Sequence, residues 1–483
     1  MSGRVTGTIK TGAAAPVFLK GAFTVYDTTD TIAAIATPLG ESGIGVIRIS
    51  GSKAYDVGDA IFKSKSSLPL AQRRDRSIQY GLIVDDDGKA VDEVILLIMK
   101  GPRSYTAEDV LEIQCHGGRQ SLSEILGLVL RHGARLANPG EFTQRAFVNG
   151  RIDLAQAEAV MDVIQAKSAQ GLTSAVSQLE GRLSRVVGDM RLHLTDFITR
   201  LEVTVDYPEE DLEDIEVPDI AGAIREMERR LDDMLAESKS GRMMRDGVMA
   251  AIAGTPNAGK SSLLNRFLET ERAIVTDVPG TTRDVIEEWI TIQGVPICLV
   301  DTAGIRSTDD TVEQIGVRRA KEYMDRADII LVVVDQSRPL QEEDRQILET
   351  ARGRQALIVL NKEDLQPAFA TEDLQSYGLP LLSISASTGA GMGELKDAML
   401  SLALKQGLMA AQSALLANTR HIELVRQSRE ALQRALDTIE AGMPVDCAIV
   451  DIREAWELLG SITGDTVHDD IIEEIFSRFC LGK

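Results

Sequence analysis

Residues 254–261, with the sequence GTPNAGKS, constrain the fold of this chain more than any other segment. They follow the apolar run 248–253 and precede apolar residues at helical spacing, which predicts a strand, a loop and a helix in that order. A glycine-rich loop before a helix offers several backbone N–H groups to phosphate oxygens. Lys260 would neutralise charge on the β and γ oxygens during catalysis, and Ser261 would bind Mg²⁺. The predicted phosphate-binding residues are Asn257, Ala258, Gly259, Lys260, Ser261 and Ser262.

Four short apolar runs predict the strands of an α/β sheet around this loop. The runs 248–253, 297–300, 329–334 and 357–360 are each followed by a loop and an amphipathic stretch, which indicates a mostly parallel, doubly wound sheet. The tetrapeptide DTAG follows the second run, where a carboxylate can hold Mg²⁺ and a glycine N–H can contact a γ-phosphate. Its residues are Asp301, Thr302, Ala303 and Gly304.

The tetrapeptide NKED at 361–364 predicts guanine as the bound base. One carboxylate can accept from both the N1–H and the N2 amine of guanine, whereas adenine would leave Asp364 unpaired at a cost of several kcal/mol. The segment 385–387 follows another apolar pair and can direct a backbone N–H at guanine O6. GTP is therefore expected in preference to ATP. The predicted base-binding residues are Asn361, Lys362, Asp364, Ser385, Ala386 and Ser387.

The hydrolytic machinery departs from the Ras-like pattern, because Ile305 stands where those enzymes place a water-orienting Gln. Either hydrolysis is feeble or other groups act. Asn257 and the loop 276–282 could build a site for a monovalent cation whose charge replaces that of an arginine. Glu313 and Arg306 are the candidate catalytic residues for orienting water, although their spacing alone also fits ordinary surface charges.

The charge balance excludes general binding to polyanions. The 483 residues contain 52 Lys and Arg against 74 Asp and Glu, a formal net charge of −22. Nonspecific nucleic-acid affinity needs basic side chains that displace counterions. The first 150 residues are nearly neutral, so the acidity lies in the C-terminal two-thirds. Any RNA contact is therefore expected to be local or shared with a more basic partner.

Cysteine content and the length of apolar runs indicate a cytoplasmic protein without membrane spans. The four cysteines are scattered and form no CxxC pair, which fits a reducing compartment. The longest apolar runs are far shorter than the ~18 residues that a membrane helix needs. Residues 1–29 are expected to form a disordered extension. An organellar presequence is the alternative, since three basic residues precede the first acidic one, Asp27.

The remaining pattern predicts a multidomain chain with an α/β domain inserted into a helical one. Segment 30–149 mixes strands and helices, as in an α+β domain. Apolar residues recur every three or four positions between 139 and 208, which is typical of long amphipathic helices. The predicted domains are 30–149 (α+β), 150–246 (helical), 247–404 (Ras-like α/β) and 405–483 (helical, with a terminal FCLGK).

Taken in order, these motifs resemble the MnmE (TrmE) family of tRNA-modification GTPases. The resemblance runs from about Thr31 to Lys483, and its N-terminal segments and tail are more specific than the GTPase motifs. The GTPase segments are GTPNAGKSS, TDVPGTTRD, DTAGIR, NKED and SAS. The other segments are RISG (48–51), EDVLEIQCHGG (108–118), PGEFTQRAF (139–147), DLAQAEA (153–159) and FCLGK (479–483).

The resemblance implies a homodimer whose N-terminal domains bind formyl-tetrahydrofolate. It implies a G domain, carried by the helical domain, that dimerises in the presence of K⁺ and GTP. With the flavoprotein MnmG, in a heterotetramer, such a protein would add a (carboxymethyl)aminomethyl group to the wobble uridine of certain tRNAs.

The resemblance also implies roles for individual residues of this chain, with two departures from the family pattern. Arg151 stands in place of the usual lysine and Leu481 in place of isoleucine. Cys480 is a candidate modification-site thiol, and a structural role for it is an equal alternative. The implied ligands are Asn257, Thr276, Val278 and Thr281 for K⁺, Ser261 and Thr282 for Mg²⁺, Glu313 for water, and Arg48, Glu112, Arg151 and Lys483 for folate. Thr276, Thr281 and Thr282 would also contact the nucleotide.

Two other functions stay open on the sequence. A GTP-binding switch in ribosome assembly, similar to the Era and EngA proteins, is one, although the acidic helical C-terminal region lacks a GxxG-type RNA clamp. A catalytically idle G domain, as Ile305 would allow, is the other. A ferrous-iron transporter with a similar G domain is excluded because no membrane span is predicted.

Overall fold

The chain folds into two compact units in a computed structural model. One unit comprises Met1–Arg151 with His468–Lys483, and the other comprises Ile152–Val467. None of the helices that the structure describes is long and apolar enough to span a bilayer. The described part of the chain comprises residues 29–206, 217–271, 287–301, 321–404 and 414–482.

Strands occur in two separate regions of the described chain, and helices occur throughout. The strands are β1 (Ile32–Ile35), β2 (Gly45–Ser50), β3 (Phe62–Lys63), β4 (Ser77–Val84), β5 (Ala90–Met99), β6 (Val110–Cys115), β7 (Arg135–Leu136), β8 (Val248–Ala253), β9 (Glu287–Ile292), β10 (Val295–Asp301), β11 (Ile329–Asp335), β12 (Ala356–Asn361) and β13 (Leu381–Ser383). The helices are α1 (Ala54–Ile61), α2 (Arg119–Arg131), α3 (Glu141–Val148), α4 (Leu154–Gln165), α5 (Ala169–Leu179), α6 (Arg182–Asp206), α7 (Val217–Asp246), α8 (Lys260–Glu271), α9 (Glu342–Ala351), α10 (Glu372–Gln375), α11 (Met392–Leu404), α12 (Thr419–Glu440), α13 (Val445–Thr463) and α14 (Asp469–Ser477).

The N-terminal unit is built on one sheet with the strand order β3-β4-β5-β6-β2-β1-β7 among the described residues. Its neighbouring strands are antiparallel except for the β1–β7 pair. Side chains alternate along β2, so that Ile47 and Ile49 are buried while Arg48 between them points to the other face. Helices α1 and α2 cover the apolar face with residues such as Ile61 and Leu122. The predicted α+β domain is confirmed.

The C-terminal segment packs into the N-terminal unit. Phe476 of α14 contacts the Phe147 ring of α3 at a centroid distance of 6.3 Å and the Phe479 ring at 5.2 Å. Gly140, at φ +72°, lies so close that a Cβ would be 2.5 Å from the Phe476 carbonyl oxygen. This aromatic packing explains why His468–Lys483 groups with the N-terminal residues. The sequence pattern had assigned it, within 405–483, to the helical domain.

The helical region forms one core from segments that precede and follow the second sheet in the sequence. Helix α12 packs on α13 and α7, and α13 packs on α6. The buried residues of this core include Leu194, Leu201, Leu231, Leu432 and Ile452. Helices that are distant in sequence therefore share their apolar faces.

The predicted amphipathic helices between residues 139 and 208 are present as the 25-residue α6 and the shorter α4 and α5. Asp153 forms a capping box with Gln156 at the start of α4, and Ser168 caps α5 by accepting from the backbone N–H of residue 171. Gly181 adopts φ +79° between α5 and α6. Caps and a left-handed glycine divide an uninterrupted apolar period into separate helices.

The second sheet has the strand order β13-β12-β11-β8-β10-β9 among the described residues. All neighbours are parallel except the β9–β10 pair at the edge. Phe267 of α8 and Leu395 of α11 belong to the core on one face, and Leu348 of α9 belongs to the core on the other. Strands buried on both faces need continuous apolar runs. The predicted doubly wound α/β domain is confirmed.

A buried ionic network joins α4 to the start of α12. Glu158 lies 2.9 Å from Asn418 Nδ2, 2.6 Å from Arg420 Nη2 and 2.7 Å from His421 Nε2. Burial alone would raise the pKa of Glu158, but His421 and Arg420 outweigh it and hold that pKa well below its usual range. Glu158 therefore remains ionised inside the protein.

The same helix holds the end of α7. Asp162, one turn after Glu158, accepts from Arg245 Nε at 2.7 Å, and Arg245 lies three residues before β8 begins. The end of α7, before the second sheet, and the start of α12, after it, are therefore both bonded to α4.

Replacing Glu158 with Gln should destabilise the protein by about 3 kcal/mol, because Asn418, Arg420 and His421 lose their charged partner in a largely buried position. The free energy of unfolding, measured with urea at pH 7, tests this. Glu423→Gln removes an exposed partner of Arg426 on α12 and is the control, with an expected loss below about 0.5 kcal/mol.

The effect should also depend on pH in one direction. Because the pKa of Glu158 is lowered by folding, its contribution is complete above the unfolded carboxyl pKa of about 4.3 and is lost as the pH falls below it. The difference between wild type and Glu158→Gln should therefore shrink in acid. Equal stability of the two proteins at pH 7 would contradict the assignment.

Candidate functional site

The predicted phosphate loop connects β8 to α8 with several residues in left-handed conformations. Gly254 has φ +155° and lies against β11, where a Cβ would be 2.4 Å from the Val333 carbonyl oxygen. Asn257 has φ +62° and Gly259 φ +98°. Glycine meets no steric penalty at such angles. The loop thus reaches the N-terminus of α8 at Lys260, where free backbone N–H groups suit an anion.

Lys260 is buried at the base of this loop. Its Nζ donates to the carbonyl oxygens of Gly254 at 2.6 Å and Thr255 at 2.8 Å. Burial lowers the pKa of Lys260, and the nearby charge of Asp301 opposes that shift. A cation in a dry, carbonyl-lined position is suited to contact phosphate oxygens.

Hard oxygen donors meet at the ends of α8 and β10. The Ser261 hydroxyl lies 3.3 Å from Asp301 Oδ2, and Asp301 is buried at the end of its strand. A hydroxyl and a carboxylate are the ligand types that Mg²⁺ prefers. The two predicted magnesium-shell residues of the described chain are therefore brought together. Ser262 lies beside them in the first turn of α8.

Asn361 joins the phosphate loop to the base-binding segment. Its side chain is 2% exposed. The Nδ2 group donates to the Ala258 carbonyl at 2.9 Å, and Oδ1 accepts from the Ala386 backbone N–H at 3.0 Å. A Cβ on Gly259 would lie 2.0 Å from that Nδ2. The asparagine therefore sets the distance between the two predicted ends of a nucleotide site.

Asp364 is exposed and is oriented by two hydroxyls. Ser385 Oγ donates to Asp364 Oδ1 at 2.6 Å, and Ser387 Oγ does so at 3.3 Å. The Ser385 bond lowers the pKa of Asp364, which keeps the carboxylate ionised. The predicted guanine-binding residues therefore form one cluster at the carboxyl ends of β12 and β13.

Lys362 contacts the neighbouring strand. It has φ +70°, and its Nζ lies 2.5 Å from Asp335 Oδ2 at the end of β11. Burial alone would raise the pKa of Asp335, but the bonds from Lys362 and Ser337 outweigh it and lower that pKa. Asp335 is not among the predicted site residues. It directly follows the apolar run 329–334, just as Asp301 directly follows the run 297–300.

Arg266 is a second residue that sequence reasoning missed. It lies on α8, one turn after the phosphate loop, and its Nε donates to the Ala386 carbonyl at 3.0 Å. Its Nη2 donates to the Ser387 carbonyl. These bonds hold the loop that bears the predicted O6-binding N–H. No sequence motif identifies such a contact between residues 120 positions apart.

A third missed group lies behind the phosphate loop. The Thr255 hydroxyl donates to Asp344 Oδ1 at 2.9 Å and accepts from Arg338 Nη2 at 2.7 Å. Burial alone would raise the pKa of Asp344, but Arg338 and other donors lower it. The only sequence signal is the position of Asp344 in the first turn of α9, where a capping carboxylate is common.

In the N-terminal unit, two of the predicted folate residues lie against one tyrosine, and a third forms an ion pair with one of them. Arg48 and Glu112 are opposite each other on β2 and β6 and form an ion pair of 2.8 Å. The Arg48 guanidinium is 5.2 Å from the Tyr105 ring centroid, and that of Arg151 is 5.1 Å from it. Arg48 also donates to the Gly482 carbonyl at 3.2 Å. The cluster combines cations, a carboxylate and an aromatic ring.

Cys480 carries the thiol of the C-terminal tail. Cys480 is exposed, and its carbonyl accepts from the Gly140 backbone N–H at 3.4 Å. Its two proposed roles both stay predictions. The remaining predicted site residues lie outside the described part of the chain, as does the extension 1–28. They are Thr276, Val278, Thr281, Thr282, Thr302, Ala303, Gly304, Arg306, Glu313 and Lys483.

Two family models match this chain. The GTP-binding protein TrmE N-terminus matches residues 31–151, and the MnmE helical domain matches residues 154–480. The tRNA modification GTPase MnmE of Alkaliphilus oremlandii is 48% identical over 94% of this chain and 99% of its own length. The chain belongs to the MnmE (TrmE) family.

A second MnmE relative gives the same result. The tRNA modification GTPase MnmE of Bacillus subtilis is 44% identical over 94% of this chain and 100% of its own length. Among solved structures, the G domain of the T. maritima FeoB iron transporter is 28% identical, covers 32% of this chain and 98% of that domain, and has a TM-score of 0.25. That score is too low to support a conclusion.

Replacing Gly259 with Ala should disrupt the link between phosphate loop and base-binding loop, because the new Cβ would displace Asn361 Nδ2. We expect a loss of about 1–3 kcal/mol in the free energy of unfolding, since a buried amide loses its bonds. Gly353→Ala is the matched control, with φ +75° and no atom within 4 Å of its Cβ. Urea unfolding of both variants measures the difference, and equal losses would contradict the role of Asn361.

Proposed function

We propose that this protein is a potassium-dependent GTPase that acts in tRNA modification. With a flavoprotein partner of the MnmG type, it would add a (carboxymethyl)aminomethyl group to the wobble uridine of certain tRNAs. Formyl-tetrahydrofolate would supply the one-carbon unit. Membership of the MnmE family, with relatives named tRNA modification GTPases, supports this reaction.

The observation that carries the GTPase proposal is the position of Asn361. It is bonded at once to the phosphate loop and to Ala386, while Asp364 is oriented by Ser385 beside it. A ligand bound here would meet a cation at one end and a carboxylate at the other. Guanine satisfies that carboxylate with two donors, and adenine does not.

Metal ions would supply positive charge at the phosphates. Ser261 would hold Mg²⁺, with Asp301 in its outer shell and Thr282 as a second ligand. Asn257, Thr276, Val278 and Thr281 would hold K⁺. Lys260 binds the phosphate oxygens through an ammonium already held by two carbonyls. Glu313 would orient the attacking water, with Arg306 as the second candidate.

The N-terminal unit would bind the folate. The guanidinium groups of Arg48 and Arg151 near the Tyr105 ring suit an aromatic pterin and its anionic glutamate tail. Glu112 would accept from the pterin amine, and Lys483 would add a further cation. We place this function in a cytoplasmic homodimer that assembles with its flavoprotein partner into a heterotetramer and acts on tRNA.

Replacing Asp364 with Asn should change the nucleotide preference from GTP to XTP. Xanthine carries a C2 carbonyl where guanine carries an amine, and an amide NH₂ can donate to that carbonyl. We expect GTP turnover to fall by about a hundredfold, because several kcal/mol of base recognition are lost, while XTP becomes a substrate. Phosphate release with each nucleotide in K⁺ buffer measures this. Asp373→Asn, an exposed change at the start of α10, should leave the preference for GTP intact.

The same assay in Na⁺ buffer tests whether hydrolysis requires K⁺. Na⁺ is too small for a cage of carbonyl and amide oxygens sized for K⁺, so hydrolysis should be several-fold slower. Equal rates in the two salts would contradict the potassium site and leave the guanine assignment standing. A variant Asp364→Asn that still prefers GTP would contradict the guanine assignment itself.

Deleting the gene for this protein should remove the wobble modification from its tRNA substrates. Mass spectrometry of wobble nucleosides should show the modified uridine restored by the wild-type protein and not by Asp364→Asn, because GTP use is required. Intact wobble nucleosides together with defective ribosomal subunits would instead favour a ribosome-assembly GTPase.

A further inference from the structure

The loop between β11 and α9, residues 336–341, touches both ends of the nucleotide site. At its start, the Gln336 backbone N–H donates to the Asn361 carbonyl at 3.2 Å, next to the Asp335–Lys362 ion pair. Two residues further on, Arg338 Nη2 reaches the Thr255 hydroxyl of the phosphate loop at 2.7 Å. One short loop is therefore connected to the base-binding strand and to the phosphate loop.

The Thr255 hydroxyl both donates and accepts a charge-assisted hydrogen bond. Its O–H donates a hydrogen bond to Asp344 Oδ1 at 2.9 Å, and its oxygen accepts one from Arg338 Nη2. Arg338 in turn forms a two-pronged ion pair with Asp344, at 2.8 and 3.1 Å. Thr255 is 3% exposed and Asp344 is 2% exposed. The Arg338 side chain is 25% exposed. A charge-assisted network around two buried members holds them in one geometry.

The backbone of Thr255 has a different partner. Its carbonyl oxygen accepts from Lys260 Nζ at 2.8 Å, and the preceding carbonyl of Gly254 accepts from the same group at 2.6 Å. A buried ammonium depends on such acceptors, because it no longer has water molecules as hydrogen-bond partners. Any shift of the Thr255 backbone therefore moves an acceptor of the lysine that would meet the phosphates.

We propose that Arg338, Asp344 and the Thr255 hydroxyl are positioning residues for phosphate binding. They hold the phosphate loop at Thr255 and so fix Lys260 before the nucleotide binds. This inference rests on the proposed binding of GTP. It adds a role for three side chains that touch one another and the loop, and that do not touch the reacting atoms.

Asp344 also has a purely structural role, which can be separated from this one. Its Oδ2 accepts from the Gln341 backbone N–H at 3.0 Å and caps α9. The Thr255 hydroxyl bonds to the other oxygen, Oδ1. Removing the hydroxyl therefore leaves the helix cap and the Arg338–Asp344 ion pair in place. A change at Thr255 tests phosphate positioning without loss of the cap.

The test compares Thr255→Val, which has the same shape without the hydroxyl, with Thr255→Ser, which keeps it. Titration with fluorescent GDP and GTP, and steady-state hydrolysis in K⁺ buffer, give Kd, KM and kcat. We expect Thr255→Val to raise Kd and KM about tenfold, the effect of losing one hydrogen bond to a charged group. The kcat at saturating GTP should change less than about threefold, and Thr255→Ser should restore Kd to within about twofold of wild type.

A second variant and a control complete the experiment. Arg338→Met removes the guanidinium and keeps the Thr255–Asp344 bond, so Kd should rise in the same direction by a smaller factor. It also serves if Thr255→Val fails to fold. Thr270→Val is the matched control, because the Thr270 hydroxyl, near the end of α8, donates to carbonyls of its own helix and accepts from Lys396 at 3.4 Å. None of these partners belongs to the phosphate loop, and the Kd of this variant should equal that of wild type.

Three outcomes would overturn the inference. If Thr255→Val and Arg338→Met bind nucleotide like wild type, the network does not position the loop. If they lower kcat in proportion to the folded fraction with KM unchanged, the network is merely structural. If the wild-type protein binds neither GDP nor GTP, the proposed function fails and this inference fails with it.

Discussion

The helix ends that flank the second sheet in the sequence, those of α7 and α12, are both bonded to one short helix, α4. Glu158 holds the start of α12, and Asp162, one turn later, holds the end of α7. Bringing together the two ends of an inserted domain costs loop entropy. Buried carboxylates paired with arginine offset that cost, because each charge is stable in the interior only while its partner is present. These two pairs therefore bring the end of α7 and the start of α12 to the same helix.

In the proposed nucleotide site, too, a few side-chain hydrogen bonds hold separate segments together. Four loops at one edge of the sheet are connected by side-chain bonds rather than by packing. Asn361 connects the phosphate loop to residues 385–387, and Asp335 connects β11 to Lys362. Such bonds fix the distances between loops before a ligand binds, which lowers the ordering cost of binding. The parallel strands bring these loops to one edge, as expected for an open α/β sheet.

In the N-terminal unit, a cross-strand ion pair forms part of the proposed folate site. Arg48 and Glu112 face each other on neighbouring antiparallel strands, on the face opposite the apolar core. The C-terminal tail reaches this pair through the Gly482 carbonyl, and aromatic packing of Phe476 and Phe479 supports the approach. Residues of the N-terminal sheet and of the described C-terminal tail thus meet in one cluster of charged and aromatic groups.

Local sequence was sufficient for the architecture of the second sheet. Strands buried on both faces read as continuous apolar runs, and glycines at 254 and 259 occupy conformations that other residues avoid. The contiguous motifs around Lys260, Asp301 and Asp364 therefore predicted most of the described residues of the proposed nucleotide site. For Arg48, Glu112 and Arg151 local sequence was not sufficient, since isolated charges carry no pattern; only the family resemblance drew attention to them.

The sequence by itself determined the strand–loop–helix units and the chemistry of each loop, because both depend on neighbours within a few positions. Only the tertiary structure decided how those loops are held. The bonds of Arg266 to residues 386 and 387, of Arg338 to Thr255, and of Glu158 to Arg420 join positions far apart in the chain. The grouping of α14 with the N-terminal unit is of the same kind. Such contacts depend on which surfaces folding brings together, and no local period or motif encodes that.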